Sequence, residues 1–515
     1  MAAGVRGNSV VTFPLCGGPA SDYQCWPDDG RVPSAATFER PPDEAAWKAT
    51  AIAVQGGLKV NGRKSALAAL AAALTLAAAG ASQAQPLYRT TFVSLAQGQA
   101  GLVYTPLTPG AKARIGVFAM HDNGDYFSAS PGNPCVQLAQ RGYTVLCSNA
   151  TSSKSGFFSD DDLDKLLLNV KAGVAWLRKD TAVDKVVIFG HSGGGEMMAA
   201  YQNIAENGVK ACQGPEKLIK CSDALADMPA ADGVMLIDSV MGGPVSTLIS
   251  LDPAVTDEDS GAAIDPSLDM YNPANGFKPS GSTYSAAFET RFFAAEGARM
   301  NRLIDKAEAR LKLIEAGKGR FADDEPFLIP GSNGAQNRLN AQDLGLMAHT
   351  KAAWPLLHAD GTVTNEVIYS VRVPRSKESP TPSLAHGAIQ TTVKEFLRTW
   401  AIRSDGWRYD ATAFHGLDYA SSYGDEIDSI QGITKPLLQM GMTGSYEYFA
   451  AEQVREHARS QDKTLAYVEG ALHTFEPCKP CAVAKGLPAD HYGDTVKTLF
   501  DYVDGWLSKP GRFIP

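Results

Sequence analysis

The sequence predicts an α/β protein built on a mostly parallel, doubly wound sheet into which a large, mainly helical cap is inserted. Three observations carry that prediction. Short apolar runs alternate with helix-like segments over residues 115–238 and again over 435–507. The rhythm breaks over residues 243–432. The apolar run at 186–189 ends in Gly190-His191-Ser192-Gly193-Gly194-Gly195 and passes at once into Glu196-Met197-Met198, a helix-like composition. Strands alternating with helices pair in parallel and bury both sheet faces, so each strand reads as a continuous apolar run.

Whole-chain properties narrow the class. The 515 residues are 44% hydrophobic and 20% charged, with a formal net charge of −9. That composition suits one large domain with an insertion, or two domains. The acidic balance and the lack of a basic stripe with interleaved aromatics argue against a nucleic-acid partner. Residues 1–59 mix glycine, proline and charge without periodicity and read as a disordered or over-called leader. Asn61-Gly62-Arg63-Lys64 is basic, residues 65–80 are almost pure Ala/Leu, and Ala81-Ser82-Gln83-Ala84 offers small residues to a signal peptidase. Residues 60–84 therefore read as a secretory signal peptide, with an apolar run too short to span a membrane comfortably. The expected mature chain starts near Gln85, in the periplasm or secreted, without a membrane anchor.

The cysteines agree with export. Cys16 and Cys25 fall in the leader, and the remaining six form local pairs: Cys135/Cys147, Cys212/Cys221 and Cys478/Cys481. Close, even spacing in an exported chain reads as disulfides. Cys478-Lys479-Pro480-Cys481 lacks a thioredoxin-like βαβ context and is expected to be a structural clip.

In order, residues 86–109 alternate as a leading antiparallel pair. A strand at 115–120 ends in His121-Asp122-Asn123-Gly124. A helix at 135–140 and a strand at 143–147 follow. Residues 160–179 form a helix with an acidic first turn, favourable to its dipole, and with Leu163, Leu166, Leu167, Val170, Val174 and Trp176 at helical spacing. The turn at Ser192 and its helix come next, then a strand at 234–237 ending at Asp238. These complete the first part of the core, residues 85–242. Within the cap, 243–432, we expect helices at 290–316, 341–357 and 384–402, a strand at 367–373 and an aromatic-rich stretch at 407–423. The second part of the core, 433–515, supplies a strand at 435–440, a helix at 449–460, a strand at 464–468, a loop holding His473 and a last helix at 494–507.

The turn is a G-x-S-x-G sequence between a strand and a helix, the context of a nucleophile elbow. Gly190 and Gly194 let strand and helix close around a strained, exposed serine. On these residues, and on the order in which the candidates occur, the chain resembles the α/β-hydrolase superfamily over residues 86–241 and 433–507. The resemblance implies a triad in the order serine, acid, histidine: Ser192 as nucleophile, and His473, in Glu469-Gly470-Ala471-Leu472-His473-Thr474-Phe475 after the last strand, as base. The family's acid usually follows the strand at 435–440. Glu447 is the preferred candidate there, and Asp238 the alternate. Oxyanion donors are expected from the backbone of Gly193 and of Asn123, with Asp122 the alternate. His191, beside the nucleophile, reads as packing.

A serine hydroxyl needs a histidine to take its proton, and the histidine needs a buried carboxylate to hold its tautomer and stabilise its cation. The implied reaction is ester hydrolysis through an acyl-enzyme, with no cofactor and no metal ligand set. The small-molecule substrate is expected to be a small or medium, hydrophobic ester, with Trp354, Trp400, Trp407, Tyr409, Phe414, Tyr419 and Tyr423 available to line a pocket or to form the cap's own core. An amidase or peptidase, a lactone or carbon–carbon hydrolase, and a non-catalytic binding protein on the same fold are the alternatives.

Overall fold

A computed structural model describes residues 87–515 except 123, 129, 131, 152–161, 333–337 and 376–386. The expected leader, signal peptide and residue Asn123 lie outside the described residues.

The strands are β1 (Tyr88–Ser94), β2 (Ala100–Pro106), β3 (Ile115–His121), β4 (Thr144–Asn149), β5 (Lys185–His191), β6 (Gly233–Ile237), β7 (Pro326–Pro330), β8 (His349–Leu357), β9 (Val363–Tyr369), β10 (Ala388–Thr392), β11 (Arg403–Tyr409), β12 (Phe414–Asp418), β13 (Leu437–Met442) and β14 (Lys463–Val468). Ten of them make one sheet in the order β1-β2-β4-β3-β5-β6-β13-β14-β8-β9. From β4 through β8 every neighbouring pair is parallel, and the antiparallel pairs lie at the two ends. Helices α1 (Pro134–Gln140), α2 (Leu163–Asp180) and α3 (Gly193–Asn207) supply the crossovers of the first half. The sheet has a buried cluster on each face, because its central strands are apolar throughout: β3 and β5 bury nearly every residue. The expected α/β class and the leading antiparallel pair are both present.

Two devices set the first half. Asn133 caps α1 by accepting from the Cys135 and Val136 amides, and Asp162 caps α2 by accepting from the Lys165 amide, each satisfying donors that the helix leaves unpaired. On α2, Gly173 faces β3 so closely that a Cβ there would lie 2.0 Å from the Phe118 ring.

The insertion differs from its expected make-up. A helix of 30 residues, α4 (Ala286–Glu315), dominates it, but the segment expected as a helix at 341–357 holds strand β8, which joins the main sheet beside β14. The strand expected at 367–373 is β9, which ends earlier, at Tyr369. In place of a helix over 384–402, β10 pairs with β7 and a π-helical turn, Phe396–Trp400, follows. Sheet pairing outweighed local helix preference here: β8 extends an edge of the core sheet, a partner that periodicity alone does not reveal. The insertion thus supplies one edge of the main sheet.

All three local cysteine pairs are joined: Cys135–Cys147, Cys212–Cys221 and Cys478–Cys481. Disulfides persist in oxidising compartments. Among the described residues no helix is long and apolar enough to cross a membrane.

Replacing Gly173 tests the packing that holds β3. Gly173→Ala should destabilise the protein by about 1–3 kcal/mol, the usual penalty of an overpacked core, seen as a lower thermal midpoint; an unchanged midpoint would show that Phe118 moves aside freely.

Candidate active site

Parallel register brings the ends of β5, β6, β13 and β14 to one edge of the sheet. His191 at the end of β5 sits beside Ile237 at the end of β6, and Met442 of β13 beside Val468 of β14. Ligand sites of open α/β sheets form outside these carboxyl ends. Ser192 follows β5, Asp238 follows β6 and His473 follows β14 by a short loop.

The turn at Ser192 is a strained elbow. Ser192 has φ 56° and ψ −130°, in a region an L-residue avoids. Gly190 must lack a side chain, since a Cβ would lie 2.3 Å from the Gly194 carbonyl oxygen. Gly195 is equally confined, with a Cβ position 2.4 Å from the Ser239 Cβ. Three more non-glycine residues at positive φ surround the same point: Asp238 (46°), Met241 (59°) and Phe475 (78°). Strain of this kind collects at functional sites.

The side chains meet in a chain of hydrogen bonds. Ser192 Oγ lies 2.8 Å from His473 Nε2, and His473 Nδ1 lies 2.6 Å from Asp238 Oδ2. Asp238 is buried, while Ser192 and His473 are partly exposed. The other carboxylate oxygen of Asp238 accepts from the Met442 amide at 3.0 Å, and Ser445 donates its hydroxyl to the same carboxylate. Burial pushes the Asp238 carboxyl up, and the bonds from His473, Ser445 and Met442 oppose that rise. For His473 burial works downward, but the Asp238 hydrogen bond and charge, with the Glu447 charge, outweigh it and hold the imidazole above the ordinary histidine value.

Glu447, the preferred acid in the sequence reading, does not reach His473. Its carboxylate accepts from Arg338 Nη1 at 2.5 Å, both side chains being buried. Arg338 also donates to Ser246 Oγ at 2.7 Å and Ser250 Oγ at 3.1 Å. A buried guanidinium demands such a partner, and it draws Glu447 away. The alternate, Asp238, takes the place beside the imidazole.

Gly193 opens α3, so its amide is among the N–H groups that a helix leaves without an internal acceptor. Asp122, the alternate second donor, is buried with its carboxylate against the His121 ring. A Cβ on Gly193 would meet Asp122 Oδ2 at 2.5 Å, so only glycine fits between the carboxylate and the elbow.

His191 does more than pack. Its Nε2 is 2.7 Å from the His473 carbonyl oxygen; a carbonyl only accepts, so Nε2 carries the hydrogen. Its ring lies 4.8 Å from His473 and 4.5 Å from Phe475. Burial, together with the His473 and His121 charges, keeps His191 well below the ordinary histidine value and therefore neutral. It fixes the backbone of His473 without adding a competing charge. Adjacency to Ser192 hinted at this role; the bond partner, 282 residues away in sequence, did not.

Most cap aromatics belong to the cap's own core. Trp400, Trp407, Tyr409, Phe414 and Tyr423 are buried, Trp407 and Tyr409 against Phe293 of α4. Trp407 and Tyr409, with Phe293, also line a cavity of about 620 Å³ between α4 and β11. Among the described residues no group of three or more His, Cys, Asp and Glu side chains is arranged to hold a metal ion.

No family model and no curated protein matches the chain. Among solved structures, it is similar to the α/β hydrolase GrgF from Penicillium sp. sh18 (9% identity over 83% of this chain and 99% of that one, TM-score 0.38). It is also similar to a hypothetical protein from Pseudomonas aeruginosa (13%, 82% and 95%, TM-score 0.35) and to the esterase domain of a Rhodothermus marinus protein (10%, 82% and 100%, TM-score 0.33).

The electrostatics predict a titration. His473 should lose its proton above the ordinary histidine value, so any activity needing the free base rises with pH through that point. Asp238→Asn removes the main support and should move the His473 titration down, followed by NMR of the ring; Glu447→Gln should move it less. Equal shifts in the two variants would contradict the assignment of Asp238 as the principal partner.

Proposed function

We propose that the chain is an exported serine hydrolase that cleaves carboxylic esters of small or medium size. The single observation that carries this reading is the continuous bond chain from Ser192 Oγ through the His473 imidazole to the buried Asp238 carboxylate. His473 Nε2 takes the Ser192 proton as Oγ attacks the ester carbonyl. Asp238 accepts from Nδ1–H and so requires the tautomer whose Nε2 is free to act as base. The negative charge that develops on the carbonyl oxygen faces the amide of Gly193 at the helix start. The tetrahedral intermediate expels the alkoxide, which His473 protonates, and water then releases the acid from Ser192 by the same sequence of steps.

Esters are favoured because an alkoxide leaves with less assistance than an amine. Export is supported by the three disulfides and by the signal-like composition of residues 60–84.

A fluorophosphonate probe tests the reading. Wild type should be labelled on Ser192 and should hydrolyse p-nitrophenyl esters, and Ser192→Ala should lose both properties. Asp238→Asn should lower kcat by about 10⁴-fold, the scale seen when the acid of such a triad is neutralised, while Glu447→Gln keeps most of the activity. Absence of both labelling and turnover in folded wild type would favour a non-catalytic binding protein.

A further inference from the structure

One cation beside the site has no work in the scheme above. The chain segment after β9 runs against the turn that follows β13. The Val371 amide donates to the Thr443 carbonyl at 2.8 Å, and the Tyr446 hydroxyl donates to the Val373 carbonyl at 2.6 Å. Arg375 is pinned on both sides of its peptide: its amide donates to the Ala341 carbonyl at 3.0 Å, and its carbonyl accepts from Gln342 Nε2 at 3.2 Å. Its guanidinium carbon lies over the Tyr446 ring, 4.5 Å from the centroid. Both side chains are only partly buried. Among the described residues no acidic side chain pairs with Arg375; Glu447, one residue beyond Tyr446, is held by Arg338.

The same turn follows Met442, whose amide bonds Asp238 at 3.0 Å, and its Gly444 amide donates to the Ala471 carbonyl at 2.8 Å in the loop that carries His473, so Arg375 stands at the triad's edge. Its charge acts on His473 and disfavours the imidazolium, the form that must appear as Ser192 is deprotonated. A bare cation there is a disadvantage for a neutral substrate. An anionic substrate group seated on it cancels that repulsion while gaining a bidentate, charge-assisted pair.

Resting on the ester-hydrolase reading, we propose that Arg375, stacked on Tyr446, is a specificity subsite for a carboxylate carried by the substrate, making half-esters of dicarboxylic acids the preferred class. The Arg375 backbone is held by its own hydrogen bonds and the guanidinium by the Tyr446 ring, so less side-chain freedom is lost on binding. The hydrolysis itself is unchanged: the ester carbon–oxygen bond breaks, water supplies the hydroxyl, and the second carboxylate remains intact on Arg375.

The test compares mono-p-nitrophenyl glutarate with p-nitrophenyl butyrate, as the ratio of their kcat/KM values, in wild type, Arg375→Gln and Arg375→Lys. Wild type should favour the half-ester, and the advantage should shrink in 0.5 M salt. The ratio should fall at least tenfold in Arg375→Gln and by less in Arg375→Lys, which keeps the charge but loses the planar, bidentate fork. Free glutarate should inhibit wild type competitively and Arg375→Gln at least tenfold more weakly. Fluorophosphonate labelling of Ser192 reports separately that each variant is folded and competent. A ratio that is the same in wild type and Arg375→Gln, or no preference in wild type, overturns the subsite while leaving the hydrolase reading intact. Failure of the probe to label wild type overturns the hydrolase reading itself.

Discussion

The structure depends on how a buried carboxylate is kept charged. Asp238 is buried at the sheet edge, and an ionised carboxylate there is costly unless its lone pairs are engaged. The Met442 amide, the Ser445 hydroxyl and His473 Nδ1 share that task. Those three groups come from the end of β13, the turn after it and the loop after β14. Satisfying one carboxylate therefore fixes the relative position of three loops, and with them the distance from His473 to Ser192. The left-handed backbone at Ser192, Asp238, Met241 and Phe475 is tolerated because the surrounding bonds leave those residues no other conformation.

The same region sorts its remaining charges into separate pairs. Arg338 takes Glu447 and two serines, so a second carboxylate stands near His473 without competing for its Nδ1. His191 is neutral by burial and holds the backbone of His473. The groups around the imidazole thus favour its cation, with Arg375 as the exception that a bound anion would remove.

Much of this was legible in the sequence. The elbow was readable because its glycines answer to local sterics: each sits where a Cβ would strike the backbone or a neighbouring side chain. His473 was readable from order, as the histidine in the loop after the last strand. Asp238 against Glu447 was not decidable, because the deciding partner, Arg338, lies 109 residues from Glu447 in an insertion with no local pattern. The insertion itself was misjudged for a similar reason. Residues of β8 carry helix-compatible composition, and only their register beside Tyr467 and Val468 of β14 makes them a strand.

The proposed function requires that Asp238, through His473, make Ser192 a nucleophile. A crystal structure of the fluorophosphonate-treated protein tests it most directly. The expected result is phosphorus bonded to Ser192 Oγ, its oxygen facing the Gly193 amide, and His473 still bonded to Asp238 with Glu447 on Arg338. A label on another residue, or His473 turned to Glu447 with Asp238 released, would contradict it.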